Sequence, residues 1–367
     1  MLAITLGTEV SKGTAVSWNP EAEHETPNPH VLITGESGFG KTYLAQCLLW
    51  ELSKRGMSSV VVDIGRGFAR SELHPRLRAA RLRHLDASKY GLNLNPLCIR
   101  QSDSNGPLNV AVRVSDTFAR VYRIGIQQKA ALRDAILLTF ERAGITADPL
   151  TWRRSGPSMA DLRRTLEDLL EANGSSGRVV QSLYAHISEF FLFDVFRPAG
   201  IAVDWKSISS SMGEIVIFEL GGLEGRLPQL TAEFLSWDLF AFVLAQGPHR
   251  LHIYCLVDEA HQLRITDASP VERLAREGRK FGVGLVLASQ MFKDFSEAVY
   301  SNLHTKIFFQ TSDPNRRLSR LIAAKASNLG SAEAVNNLIS QLPKTEALTL
   351  IGNVARRVKI APLEARG

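Results

Sequence analysis

The sequence predicts an α/β fold with a mostly parallel central sheet, and three observations carry that prediction. Short apolar runs rich in β-branched residues recur at positions 30–34, 59–63, 253–257 and 283–288, with similar runs at 214–220 and 305–310. Runs that are apolar at nearly every position belong to strands buried on both faces. Helical patterns such as residues 43–55 and 230–245 lie between them, and strand–helix alternation builds a parallel sheet covered by helices. The third observation is a stretch of different character: from about residue 109 to 196, apolar residues recur only at helical spacing.

Val121, Ile124, Leu132, Ile136, Leu137 and Phe140 form one helical face in that stretch, and Leu162, Leu166, Leu169 and Leu170 another. Residues 101–107 are polar with Gly and Pro, and 173–177 form a Gly/Ser turn between helices. The expected organisation is an N-terminal core segment (1–100), an all-helical insertion (101–212) and a C-terminal core segment (213–367).

Composition sets the outer limits. A chain of 367 residues with 45% hydrophobic and 22% charged content can bury a sizeable core. There is no apolar run of the roughly eighteen residues a membrane span needs, and no basic-then-apolar leader at the N-terminus. A soluble, cytoplasmic protein is expected. The balance of 43 basic against 37 acidic residues, +6, permits a polyanionic partner without demanding one. Cys47, Cys98 and Cys255 are far apart, and Cys47 and Cys255 lie in apolar patterns where a thiol packs as a small hydrophobe. The histidines show no two-His helix motif, so no zinc is expected.

The strand at 31–34 runs into Gly35-Glu36-Ser37-Gly38-Phe39-Gly40-Lys41-Thr42, followed by Tyr43 and an amphipathic helix. This is the G-x-x-x-x-G-K-[ST] phosphate-binding loop in the strand-to-helix setting its mechanism needs. Glycines let backbone N–H groups turn inward around a phosphate, and the helix N-terminus adds its positive end. Lys41 is expected to reach the β- and γ-phosphates of ATP, and Thr42 to ligate Mg2+.

The strand His252-Ile253-Tyr254-Cys255-Leu256-Val257 ends in Asp258-Glu259. Strand C-termini of an open parallel sheet face the ligand crevice, which puts Asp258 near the magnesium and Glu259 where a base would deprotonate the attacking water. Val283-Gly284-Leu285-Val286-Leu287-Ala288-Ser289 ends likewise in Gln290, placed to report the γ-phosphate or position water. Arg273, Arg276, Arg279 and Lys280 precede that strand; Arg279, then Arg276, is the expected finger for a neighbouring subunit's phosphates. Arg66, Arg70, Arg76, Arg78, Arg81 and Arg83 form a basic cluster that reads equally as a phosphate-tracking or a solvated surface.

With these motifs in place, the chain resembles the HerA–FtsK superfamily of hexameric DNA-pumping ATPases. The resemblance also includes Leu6-Gly7-Thr8 with Val16-Ser17-Trp18, Asn93-Leu94-Asn95-Pro96-Leu97 and Ile217-Phe218-Glu219-Leu220-Gly221-Gly222-Leu223. Arg276-Glu277-Gly278-Arg279-Lys280-Phe281-Gly282, Leu342-Pro343 and Thr349-Leu350-Ile351-Gly352 complete the ordered set. It implies a RecA-like core, a six-membered ring with ATP at subunit boundaries, and DNA threaded through its centre. By position, Lys41 and Thr42 are the Walker A pair, Asp258 and Glu259 the Walker B pair, Gln290 the sensor and Arg279 the finger.

HerA proteins carry a β-barrel before the motor, and only 34 residues precede Gly35 here. The expectation is either an abbreviated motor or the C-terminal part of a longer protein, resembling the motor modules of bacterial defence proteins such as the DptH component of phosphorothioation-dependent restriction. The leading functional expectation is an ATP-driven DNA translocase or helicase that works with a nuclease or other effector subunit. A secretion-type ATPase moving protein or nucleoprotein, and an ATP-assembled scaffold, are the alternatives.

Overall fold

Eleven strands share one sheet in the computed structural model, which describes residues 3–22, 28–172, 177–290 and 295–366. The chain runs β1 (Ile4–Glu9), β2 (Ala15–Trp18), β3 (Val31–Thr34), α1 (Lys41–Lys54), β4 (Ser58–Asp63), α2 (Pro75–Arg78), β5 (Leu82–Asp86), α3 (Ala87–Tyr90) and β6 (Leu92–Asn93). Four helices follow, α4 (Pro107–Tyr122), α5 (Ile126–Arg142), α6 (Met159–Glu171) and α7 (Gly177–Phe193). Then come β7 (Ile201–Ala202), α8 (Trp205–Ser210), β8 (Ile215–Glu219), α9 (Leu227–Gln246), β9 (His249–Asp258), α10 (Pro270–Glu277) and β10 (Phe281–Ser289). The last elements are α11 (Glu297–Asn302), β11 (Thr305–Phe308), α12 (Arg317–Lys325), α13 (Ala332–Ser340), β12 (Glu346–Ile351) and β13 (Val354–Ile360).

The strand order is β2-β1-β13-β12-β11-β3-β10-β9-β4-β8-β5. From β11 to β5 every neighbouring pair is parallel, and from β11 to β2 every pair is antiparallel. The six expected strand runs are β3, β4, β8, β9, β10 and β11, so the mostly parallel sheet is as anticipated. The antiparallel wing is an addition to it.

Because side chains alternate across a strand, each central strand feeds two cores. Val60, Val62, Ile253, Cys255 and Val257 join one, which also takes in α4 to α7 and α9. Val61, Tyr254, Leu256, Val31 and Ile33 join the other, closed by α1 and the antiparallel wing. Cys47 and Cys255 are both fully covered.

Between β6 and β7 the described residues hold helices and no strand. Of the two expected helical faces, Val121, Ile124, Leu132, Ile136, Phe140, Leu162 and Leu166 are buried, while Leu137, Leu169 and Leu170 are partly buried. Residues 173–176 of the expected turn lie outside the described residues. Phe118 of α4 anchors the helices to the sheet layer, with ring centroids 5.2 Å from Phe190 of α7 and 6.0 Å from Phe234 of α9. Burying such a ring contributes about 2–3 kcal/mol. No helix among the described residues is long and apolar enough to cross a membrane.

Candidate active site

At the C-terminal end of β3 the backbone turns through Gly35 (φ 152°), Gly38 (φ 81°) and Gly40 (φ 104°), conformations that side chains with a Cβ resist. Gly40 then caps α1, a helix with no side-chain N-cap and no acid in its first turn, so its first N–H groups stay available to an anion. Two bonds hold the loop in place: the Glu36 N–H donates to the Gln310 carbonyl (2.7 Å), and the Ser312 N–H donates to the Glu36 carboxylate (3.1 Å). Ser37 is exposed and Phe39 partly buried beneath the Lys344 ammonium. Lys41 is 5% exposed and folds back to donate to the Glu36 carbonyl at 2.9 Å. Burial lowers its pKa, opposed by the charges of Glu259, Asp258 and Glu36.

Asp258 ends β9 inside this crevice, 1% exposed, with neither carboxylate oxygen in a well-formed hydrogen bond. Burial, then the charges of Asp63 and Glu259, push its pKa up to about 7, against the Glu259 N–H and Lys41. A buried carboxylate without partners is a group that a neighbouring cation would satisfy. Asp63 ends β4 directly beside it in register, fully buried; burial and the charge of Glu219 push it up to about 6. One Asp63 oxygen accepts from the Phe68 N–H (3.0 Å), and the other has no partner.

The loop after β4 comes close to both acids. A Cβ added to Gly67 would lie 2.5 Å from the Asp258 carboxylate and 3.4 Å from the Thr42 hydroxyl, and one added to Gly65 would lie 2.5 Å from Glu259 Cγ. The Thr42 hydroxyl and the partnerless Asp258 oxygens therefore border the same small space. That set of hard oxygen donors fits Mg2+, which favours carboxylate and hydroxyl ligands.

Glu259 takes the left-handed conformation (φ 53°, ψ 40°), strain of a kind that collects at working sites. Its carboxylate accepts a hydrogen bond from the Gln290 amide at 3.0 Å and lies 3.1 Å from His261 Nδ1. Thus Gly35 to Thr42, Asp258, Glu259 and Gln290 meet at one end of the sheet. Asp63, Gly65, Gly67 and His261 join them without having been singled out in the sequence, although Val62-Asp63 repeats the apolar-strand-then-acid pattern of Val257-Asp258.

Other expected residues stand elsewhere. Tyr43 faces the C-terminal segment, its hydroxyl accepting from the Leu363 N–H at 2.8 Å. Arg279 precedes β10 and Gln290 follows it, which sets them roughly 25–30 Å apart at 3.3 Å per residue. Arg279 lies by His30, whose pKa burial and that charge depress to about 3. Arg276 is tied to Glu272 and Glu277. In the basic cluster, Arg66 donates to the Gly221 carbonyl, Arg76 to the Leu363 and Arg366 carbonyls, and Arg83 pairs with Glu214.

Comparison with known proteins bears on the family and the fold. The chain is 33% identical over 117 residues to the DNA double-strand break repair helicase HerA of Sulfolobus acidocaldarius, a match covering 30% of this chain and 23% of that protein. With HerA of Pyrococcus furiosus it is 36% identical over 115 residues, 28% of this chain and 20% of the relative. The matched stretch thus spans only 20–23% of these relatives' length.

VirB4 of Thermoanaerobacter pseudethanolicus superposes with a TM-score of 0.76 at 19% identity, covering 98% of this chain and 96% of that one. The plasmid coupling protein TrwB, solved with ADP and Mg2+, superposes at 0.60 with 13% identity, covering 91% and 86%. Both share the RecA-like P-loop fold. The family model described as the central domain of helicase HerA matches residues 25–238, more than half of the chain, and the chain belongs to that HerA family.

Proposed function

We propose that the chain is an ATP-hydrolysing ring motor that translocates or unwinds DNA, with Mg2+ as its metal. The observation that carries the reading is the partnerless Asp258 carboxylate beside the phosphate-binding loop, with Glu259 held at the same edge by Gln290. The glycine loop and the N-terminus of α1 bind the phosphates, and Lys41 exchanges the Glu36 carbonyl for the β- and γ-phosphates. Thr42 and Asp258 would hold the metal, which would supply charge stabilisation to the phosphates when bound. Glu259 takes a proton from water as the water oxygen bonds to the γ-phosphorus and the bond to the β-phosphate oxygen breaks. Gln290 orients Glu259 and that water.

The reading includes a core of residues 1–100 and 213–367 interrupted at 101–212 by an insertion that is helical but for the two-residue strand β7, which pairs with β6. It also includes a homohexamer in the cytoplasm, with Arg279 completing a neighbour's site. That role suits an arginine too far along β10 to serve its own chain's phosphates. A nuclease or other effector partner in a restriction or anti-phage defence system belongs to the same proposal.

The test is ATP turnover by the purified protein with and without double- and single-stranded DNA, using Lys41→Ala as the blank. Several-fold stimulation by DNA supports the motor. Turnover indifferent to DNA moves the reading to export of protein or to a scaffold.

A further inference from the structure

We infer that a second cavity, between the helical stretch and the segment just after Glu259, is a phosphate-binding site that takes the phosphodiester backbone of a nucleic acid. The cavity measures about 320 Å³ and is lined by Arg120 and Arg123 from the end of α4, Arg226 and Glu233 from α9, and Gln262 and Arg264 downstream of β9. That volume suits one or two phosphates with their sugars, not a whole duplex.

Its charge is decidedly positive. The single carboxylate among these residues, Glu233, is 1% exposed and already bound by Arg120 at 2.8 Å, so it does not repel an anion. Arg123, Arg226 and Arg264 are exposed. Arg226 spends one N–H on the Val121 carbonyl, and neither Arg123 nor Arg264 has a side-chain partner among the described residues. Arginine forks present paired donors that match phosphate oxygens. The backbone adds to this: α9 begins at Leu227 with Arg226 as its N-cap, no side-chain cap bond and no acid in its first turn, although the Glu189 carboxylate packs against Gly225 beside that cap. Three separate chain segments thus supply positive potential to one concavity.

The chain's own nucleotide belongs at Gly35 to Thr42, so the phosphate here comes from elsewhere. That its source is nucleic acid rests on the motor reading; that a phosphate binds rests on the cavity alone. The cavity also adjoins catalysis, because Gln262 and Arg264 follow Glu259 by three and five residues and His261 touches it. A strand seated here would press on the turn that carries the base.

The test compares Arg123→Ala combined with Arg264→Ala against Arg153→Ala combined with Arg320→Ala, a matched charge loss on exposed arginines outside the cavity and outside the basic cluster after β4. Affinity for labelled single- and double-stranded oligonucleotides is titrated against salt with a non-hydrolysable ATP analogue present, and ATP turnover is followed against protein concentration. The cavity pair is expected to lose about tenfold in oligonucleotide affinity and about two units of salt slope, with the matched pair near wild type. Intact oligonucleotide binding with a weakened concentration dependence of turnover assigns the phosphate to a second copy's nucleotide and overturns the nucleic-acid source. Equal losses in both pairs, or no change in either readout, overturn the site. Should the unaltered protein bind no oligonucleotide, the motor reading fails, and the turnover readout alone decides the cavity.

Discussion

The Gln290 amide donates a 3.0 Å hydrogen bond to the Glu259 carboxylate, joining the carboxyl ends of the adjacent parallel strands β10 and β9. The bond constrains the proposed base, whose backbone is already in the left-handed region. Gln290→Ala is expected to cut turnover roughly ten- to a hundredfold while nucleotide affinity stays within about twofold, because the amide acts on the base and not on the phosphates. Single-turnover hydrolysis with separately measured nucleotide binding checks this; equal loss in both would place Gln290 in binding instead.

Gly67 is expected to tolerate no side chain. A methyl group there would meet the Asp258 carboxylate at 2.5 Å and Thr42 Cγ2 at 3.0 Å, in the space assigned to the metal. Gly67→Ala should lower kcat/KM for Mg-ATP by roughly ten- to a hundredfold with little change in melting temperature. Titration of turnover against Mg2+ is the measurement, and an unchanged Mg2+ requirement would move the metal away from this loop.

Asp258 links stability to pH. Its carboxyl pKa is raised from 3.8 to about 7 in the fold, so between those values the native state binds more protons than the unfolded chain. Its contribution is therefore full below about pH 4 and is lost as pH rises toward 7. Asp258→Asn should stabilise the metal-free protein at pH 8 by roughly 1–3 kcal/mol, have almost no effect at pH 4, and abolish hydrolysis. Denaturant melts in chelator at the two pH values test the sign, and equal shifts at both would refute it.

The Arg120 and Glu233 pair is a structural matter in its own right. Arg120 is 11% and Glu233 1% exposed, and burial raises the Glu233 pKa even with the arginine beside it. Arg120→Ala leaves an uncompensated buried acid and should cost roughly 3–5 kcal/mol, much of it recovered by adding Glu233→Gln. Urea unfolding of the single and double variants reports the difference.

How far the sequence spoke for the structure depended on burial. β3, β4, β9 and β10 are covered on both faces, and their unbroken apolar runs announce them. β5 reads Leu-Arg-His-Leu-Asp with every residue half-buried, and β13 interleaves Arg356, Arg357 and Lys359 with its buried Ala355, Val358 and Ile360, so neither looks like a core strand. The phosphate loop was legible because its chemistry is local: one contiguous motif makes the turn. Asp63 and Gly67 matter because parallel pairing sets β4 beside β9, a relation between residues nearly two hundred positions apart that no local pattern records. The partners of Arg66, Arg76 and Arg83 were hidden for the same reason, and their bonds leave fewer free cations in that cluster than the bare sequence offers.

The central claim is that this chain's own acids hydrolyse ATP, and Glu259→Gln tests it most directly, since the amide keeps the shape and removes the base. Turnover with Mg2+ and the nature of the bound nucleotide would be measured side by side. The account predicts that turnover falls roughly a hundred- to ten-thousandfold while unhydrolysed ATP stays bound. A variant that hydrolyses ATP at the wild-type rate would contradict it.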